Sequence, residues 1–193
     1  MAGYVRDWLG PQHGPASDLD LAVLLVNSLD LLEDPADRLW DLAWISEILA
    51  DVGHGDLARA LTAGDVAPLR ELRAALRAVF TAETAQDAAA LLNPLLLRAA
   101  AIPQLVVSDA GVRLQVAPGQ TGLAALSARL PAALAGHVAE TGTARLGSCA
   151  ARPCQCAFID RTRARTRRYC CTACNDRAAA RQYRQRRQRR RDA

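Results

Sequence analysis

Apolar residues recur at helical spacing through the first part of the chain. Residues 18–32 are apolar on nearly every side, which predicts a buried first helix. Residues 34–53 predict a second helix, with Pro35 near its start and Gly53 as its C-terminal stop. Residues 67–80 predict an amphipathic third helix, because apolar and charged positions fall on opposite faces. The apolar face holds Leu69, Leu72, Leu76, Val79 and Phe80, and the charged face holds Arg70, Glu71, Arg73 and Arg77.

The pattern then changes from a helical period to a strand period and back. Residues 84–101 predict a helix with a break near Pro94, because proline removes a backbone donor and clashes with the preceding turn. Residues 104–116 contain two short β-rich runs around a turn with Gly111, which predicts a hairpin. Residues 121–142 predict a further helix. The expected fold class is α+β, mostly α, with a helical N-terminal domain that contains one β-hairpin.

Few side chains in this helical part indicate chemistry. Trp40 and Trp44 lie one helical turn apart and are predicted to pack in the core, and Asn27 is predicted to make a buried hydrogen bond. The sequence has no Gly-rich phosphate loop, nucleophile elbow or metal-spaced histidine pair, so we do not expect an enzyme. The isolated histidines are interpreted as surface or capping residues: His13, His54 and His137.

Localisation is also predicted from the sequence. The apolar run at residues 21–26 is too short to cross a membrane, so no membrane partner is expected. The first 18 residues lack the basic start and apolar stretch of a signal peptide. We therefore expect a cytoplasmic protein, in which crowded cysteines indicate metal or redox chemistry rather than structural disulfides.

All six cysteines of the chain lie between Cys149 and Cys174. Cys149 and Cys154 form one close pair, and the second is either Cys170 with Cys174 or Cys171 with Cys174, since the spacing allows both. Two close pairs can surround a tetrahedral zinc ion with four sulfurs at about 2.3 Å. Four thiolate ligands leave no open position for water, so this zinc is expected to be structural rather than catalytic.

The residues around the cysteines predict a small zinc-binding fold. Residues 157–169 have apolar ends and a basic middle, as a short β-hairpin between the two pairs would. Cys170 and Cys174 share one face if they lie on a helix. A cysteine knuckle, a hairpin and a helix in this order form a treble clef. Cys156 and Cys171 are interpreted either as small apolar fillers or as alternative metal ligands and redox-active thiols.

The charge of the chain is divided between its two ends. Residues 1–148 hold 10 Arg and 17 Asp or Glu, a balance of −7, whereas residues 149–193 hold 14 Arg and 3 Asp, a balance of +11. This segregation predicts a polyanionic partner for the C-terminal segment. DNA is the expected partner; RNA and a role in protein interaction are the alternatives. The candidate nucleic-acid contacts are Arg161, Arg163, Arg165, Arg167, Arg168, Arg177, Arg181, Arg184 and Arg187.

Particular segments resemble two known families. "CAARPC", "FIDRTR" and "RRYCCTACNDR", with the basic stretch that follows, resemble the CGNR zinc finger. Upstream, "LDLAVLLVNSLD", "LRELRAALR" and "LLNPLLLRA" resemble the ABATE domain that is usually fused to this finger. In place of the Gly-Asn-Arg signature of the finger, this chain has Asn175, Asp176 and Arg177.

The resemblance has implications for domains, ligands and function. It implies an ABATE-like α-rich domain over residues 1–144 and a CGNR-like treble-clef finger with an Arg-rich helix over residues 145–193. It implies that one structural Zn²⁺ is held by Cys149, Cys154, Cys170 and Cys174. Proteins of this family are regarded as stress-induced transcription regulators, which implies DNA binding through the finger. A separate hypothesis gives the N-terminal domain a role in sensing a ligand or in forming a homodimer.

Overall fold

The computed structural model of the chain describes residues 15–109 and 111–191. As predicted, the fold is mostly α with few strands, and a 3₁₀ turn at Ala63–Asp65 precedes the fourth helix. The helices are α1 Asp18–Val26, α2 Ala43–Asp51, α3 Gly55–Arg59, α4 Val66–Val79, α5 Ala85–Arg98, α6 Gly122–Thr141 and α7 Thr172–Arg191. The strands are β1 Pro103–Ser108, β2 Gly111–Val116, β3 Leu146–Ser148 and β4 Ala157–Ile159. None of the described helices is both long and apolar enough to span a bilayer.

Helix α1 lies at the centre of the molecule, as its apolar sequence predicts. Ser17 caps its N-terminus in a reciprocal capping box with Asp20. Every residue from Leu21 to Val26 is buried, and the helix packs against α4 and α6. The helix ends at Asn27, which is shorter than the predicted range and places this polar side chain in the core.

The second helix begins later than predicted. Residues 34–42 form bends and turns with an isolated β-bridge from Asp37 to Leu29, and α2 starts at Ala43 rather than near Pro35. The carboxylates of Asp37 and Asp41 each accept a hydrogen bond from the backbone N–H two residues further on, at 2.9 and 2.8 Å. Such local bonds give the backbone an alternative to the helix, which explains the late start.

The late start of α2 also separates the two tryptophans. Trp44 is 9% exposed and belongs to the core, as predicted. Trp40 precedes the helix and is 65% exposed, so its predicted core position is wrong. Gly53 follows the end of α2 with a φ of +87°, a conformation that favours glycine, and the predicted helix stop is confirmed.

Helix α4 has the predicted apolar face, but its charged face is partly buried. All five predicted apolar residues are buried. Arg73 is only 7% exposed, because its guanidinium pairs with Asp37 through bonds of 2.6 and 3.0 Å. Arg70 adds a 3.3 Å contact to the same carboxylate. Hydrogen bonding from Arg73 is the main cause that lowers the pKa of Asp37 below its usual value. The prediction that Arg73 lies on an exposed face of the helix is therefore wrong.

The predicted break near Pro94 is absent. Helix α5 is continuous from Ala85 to Arg98, and its buried residues Leu92 and Leu95 anchor it on both sides of the proline. The hairpin prediction is confirmed, because β1 pairs antiparallel with β2, with Ser108 opposite Gly111 at the turn.

The cysteine-rich segment packs on the helical region and shares its core. The cysteines, Phe158 and Ile159 belong to the same apolar cluster as α1. The predicted buried hydrogen bond of Asn27 is confirmed, since its side-chain N–H donates to the carbonyl of Ala157 at 3.0 Å and its oxygen accepts from the Ala157 N–H at 2.7 Å. Strand β4 is thus held against the end of α1.

Candidate metal centre

The first cysteine pair lies in a knuckle between two short strands. β3 pairs antiparallel with β4, and the N–H of Cys149 donates to the carbonyl of Cys156 at 2.9 Å. The strands therefore flank the first pair, and the hairpin predicted between the two pairs is wrong in position. Residues 160–171 instead form turns that lead to α7.

Asp160 explains why a hairpin does not form after β4. This carboxylate is 3% exposed and accepts from the Thr162 N–H at 2.8 Å, the Thr162 hydroxyl at 2.6 Å and the Arg167 N–H at 2.8 Å. Burial opposes the charged form, but these bonds prevail and lower the pKa of Asp160. Asp160 thus directs the chain into a turn instead of a second strand.

Four sulfurs meet in one buried group. The Sγ atoms of Cys149, Cys154, Cys170 and Cys174 all lie within 4.8 Å of one another. Cys154 and Cys170 are 3.7 Å apart, and Cys170 and Cys174 are 3.5 Å apart. A tetrahedron of sulfurs at about 2.3 Å from zinc has edges of about 3.8 Å. The spacing of these thiols therefore fits the dimensions of a four-thiolate zinc site.

N–H groups surround the sulfurs. The N–H of Cys156 donates to Cys154 Sγ and the N–H of Cys170 to Cys149 Sγ, each at 3.5 Å. The guanidinium of Arg177 donates to Cys174 Sγ at 2.8 Å. Cys174 also lies in the first turn of α7, where the helix dipole favours negative charge. These donors stabilise thiolates, which are the form that binds a metal ion.

The pKa values of three of these thiols are shifted in different directions. Hydrogen bonding from Cys149 is the main cause that lowers the pKa of Cys154, with further bonds from Cys156 and Cys170. Hydrogen bonding to Cys149 raises the pKa of Cys170, and burial raises that of Cys174. Four thiolates this close repel one another unless a cation neutralises them. A divalent ion that prefers sulfur would remove this repulsion, and zinc is the common choice for such a ligand set.

The two remaining cysteines lie next to this group but outside it. Cys171 is buried with its sulfur 3.8 Å from that of Cys170. Cys156 is buried near Cys154, and the ligand atoms of these two cysteines and Asp30 form a second group within 4.8 Å. Of the two alternatives that spacing allowed, Cys170 is the one that joins the group of four.

The structure divides the predicted nucleic-acid contacts into two sets. Arg161 pairs with the buried Asp20 on α1 at 2.5 Å, and Arg177 faces Cys174. Arg167 donates to three backbone carbonyls, including that of Cys170, and its guanidinium lies over the ring of Phe158. These three arginines brace the cysteine-rich segment. The other six predicted contacts are all exposed: Arg163, Arg165, Arg168, Arg181, Arg184 and Arg187.

Two arginines that hold the site were not predicted. Arg77 donates to the carbonyl of Gln155 in the knuckle at 2.8 Å and to those of Val26 and Leu29 at 2.6 and 3.1 Å. Burial lowers the pKa of Arg77 below its usual value. Arg145 donates to the carbonyls of Asp160 and Thr162 at 2.7 and 3.1 Å. No sequence signal identifies either role, because both depend on carbonyls distant along the chain.

The histidines play no part in the described metal-binding groups. The Nε2 atom of His54 lies 2.6 Å from the carbonyl oxygen of Ala16, and His137 contacts Thr141. Burial lowers the pKa of His137. His13 lies outside the described residues.

Comparisons with known proteins identify both parts of the chain. The family model of the CGNR zinc finger matches residues 145–187. The ABATE family model, described as "Putative stress-induced transcription regulator", matches residues 19–148, which is more than half of the chain. A search of curated proteins found no match.

Proposed function

The chain belongs to the ABATE family and carries a CGNR zinc finger, and we propose that it is a transcription regulator that binds DNA through this finger. One structural zinc ion would be held by the four clustered cysteines. The proposed role is binding rather than catalysis, because four thiolates leave no coordination position for a reacting group.

The observation that carries the DNA proposal is the position of α7. The helix begins at the cysteine cluster and extends for 20 residues, or about 30 Å. It contains eight arginines, and from Ala179 to Arg191 every residue is exposed. A basic helix of this length fits the major groove, and its guanidinium groups can contact phosphates or guanine edges. Metal binding would fix the orientation of the helix.

Arg181, Arg184 and Arg187 form an exposed row at intervals of three residues. The loop arginines Arg163 and Arg165 are exposed on the same segment that ends at the cluster. Phosphate contacts from both would hold the duplex and position the helix, and contacts of the α7 arginines with guanine edges would supply the sequence preference.

The packing between the two regions supports a role for the helical domain in regulation. Asn27 and Arg77 connect α1 and α4 directly to the knuckle. A ligand that shifts the end of α1 would therefore displace β4 and the finger attached to it. We place the sensing of a stress signal in this helical domain.

The proposal is tested by the salt dependence of DNA binding. We expect the Arg181→Gln, Arg184→Gln and Arg187→Gln triple variant to bind duplex DNA more weakly, with a log K against log salt slope reduced by about 3. The matched control removes three exposed arginines from the helical domain: Arg59→Gln, Arg98→Gln and Arg113→Gln. An equal loss of affinity in both triple variants would show that only net charge matters.

A further inference from the structure

The β1–β2 hairpin has one face made entirely of aliphatic residues. Cross-strand partners lie on the same face of a sheet, and successive pairs alternate between the two faces. In the observed register, Leu105 faces Leu114, and the next pairs on that face are also apolar. The opposite face is mixed, because it pairs Gln104 with Gln115 and Val106 with Arg113. The full apolar face consists of Pro103, Leu105, Val107, Val112, Leu114 and Val116.

This apolar face points into solvent. Leu105, Val107, Val112 and Leu114 are between 66% and 77% exposed. On this face, exposure falls only at the base of the hairpin, where Val116 is half-buried. An isolated two-stranded hairpin is marginal in water and gains stability when its apolar face is covered. Among the residues that the structure describes, none covers the apolar face of the β1–β2 hairpin.

We propose that the occupant of this face is the same face of a second copy of the chain. The face is nearly symmetric about the line between its strands, because both strands place a leucine in the central row and a valine in the row nearest the turn. It carries no charged or polar side chain that would repel its own copy or require a partner of different chemistry. Two hairpins can therefore pack face to face around a two-fold axis, with the leucine rows in contact.

The size of the face predicts a weak dimer. Six aliphatic side chains, four of them mostly exposed, present roughly 300–400 Å² of apolar surface. Two such faces would bury roughly 600–800 Å² in total, which is about half of a standard interface. We expect half-association at a chain concentration on the order of 100 µM. Two chains on adjacent DNA sites would reach a local concentration in the millimolar range, at which such a contact forms.

The experiment is sedimentation velocity of the full zinc-loaded chain from roughly 5 to 500 µM, without DNA. We expect wild type to shift from monomer towards dimer across this range. The Leu105→Ser, Leu114→Ser variant should stay monomeric, whereas the matched Gln104→Ser, Gln115→Ser variant on the other face should behave as wild type. Circular dichroism and zinc content verify that both variants fold. Because DNA is absent, failure of this test leaves the DNA-binding proposal intact.

A charge-exchange experiment tests the face-to-face geometry. Chains with Leu105→Arg or Leu105→Glu should each be monomeric, because like charges meet at the central row. An equimolar mixture should associate at least as well as wild type. The proposal is overturned if wild type stays monomeric at roughly 500 µM, if both serine variants associate equally, or if the charged chains do not associate when mixed.

Discussion

The helical region and the cysteine-rich region of this chain are stabilised by different means. In the helical region, α1 buries all residues from Leu21 to Val26 against α4 and α6. In the cysteine-rich region, β3 and β4 have three residues each, and residues 160–171 form turns around the carboxylate of Asp160. So few residues cannot bury enough apolar surface to fold alone, and small domains of this kind depend on a metal or on crosslinks.

This difference indicates how each region responds to damage. Loss of the metal should open the cysteine-rich region while the helical region keeps its core. Damage to the contacts at Asn27 or Arg161 should instead loosen the junction between the two. The expected effects therefore decrease from the metal to the junction.

The largest effect is expected from Cys154→Ser. This change removes one of the four clustered sulfurs, and zinc binding contributes on the order of 10–16 kcal/mol to the folding of zinc-finger peptides. We expect the variant to lose zinc on dialysis and trypsin to cleave it rapidly between Arg161 and Arg168. Zinc content and limited proteolysis measure both effects.

The matched control for this prediction is Cys171→Ser. Cys171 is also buried and is adjacent to the cluster, but it lies outside the group of four. It should retain zinc and resist trypsin. Equal zinc loss from both variants would mean that the ligand set is not the one that the geometry brings together.

The next largest effect is expected in the helical region. Arg73→Met leaves Asp37 without its closest partner, and we expect a loss of about 3 kcal/mol in the free energy of unfolding, measured by urea denaturation. Arg70→Met removes a longer and more exposed contact to the same carboxylate and should cost less than about 1 kcal/mol. A similar cost for both changes would contradict the assignment of Arg73 as the buried partner.

The same pair predicts a pH dependence. Folding lowers the pKa of Asp37 below its usual value of 3.8. Its contribution is therefore complete above the unfolded pKa and is lost as the pH falls through the folded pKa. The difference in unfolding free energy between wild type and Arg73→Met should shrink below about pH 4. A difference that is constant from pH 3 to pH 6 would argue against the ion pair.

A smaller effect is expected at the junction. Asn27→Leu keeps the side-chain volume but leaves the N–H and carbonyl of Ala157 without partners, at a cost of about 2 kcal/mol. Hydrogen exchange should accelerate at Ala157 more than in α4. Asn175 is exposed, so Asn175→Leu serves as a control and should change neither the free energy of unfolding nor the hydrogen-exchange rate at Ala157. Unchanged exchange at Ala157 would indicate that β4 does not depend on α1.

The smallest effect is expected at Arg161. Its ion pair with Asp20 is partly exposed, so Arg161→Gln should cost less than about 1 kcal/mol in stability. Because Asp20 engages Arg161, this change should also weaken DNA binding less than Arg163→Gln does, as measured by fluorescence anisotropy. A greater loss of affinity for Arg161→Gln would place Arg161 in the DNA interface.

The two regions also differ in how far the sequence predicts them. Hydrophobic periodicity is sufficient to identify α1, α4 and the β1–β2 hairpin, because each element is marked by a local pattern of apolar residues along the chain. It fails at residues 34–42, where aspartate side chains compete for backbone N–H groups, and at Arg73, whose burial depends on Asp37 in another segment. Local patterns contain no information on such distant partners.

In the cysteine-rich region, the sequence identifies the metal ligands better than it predicts the course of the backbone. Cysteine spacing reduces the second pair to two alternatives, and the geometry brings Cys170 into the group of four. The predicted hairpin is in the wrong place because the strand that pairs with β4 lies before the first cysteine. The basic residues between the cysteine pairs belong to turns around Asp160. The division of the arginines into bracing and exposed sets likewise requires three-dimensional contacts.

Specific DNA binding through α7 is best tested by a competition measurement with the zinc-loaded full chain. Fluorescence anisotropy would follow its binding to the duplex upstream of its own coding sequence, near physiological salt, with scrambled duplex and structured RNA as competitors. We expect tighter binding to the upstream duplex than to either competitor. Tighter binding to RNA, or equal and weak binding to all three, would contradict a regulator that reads DNA through α7.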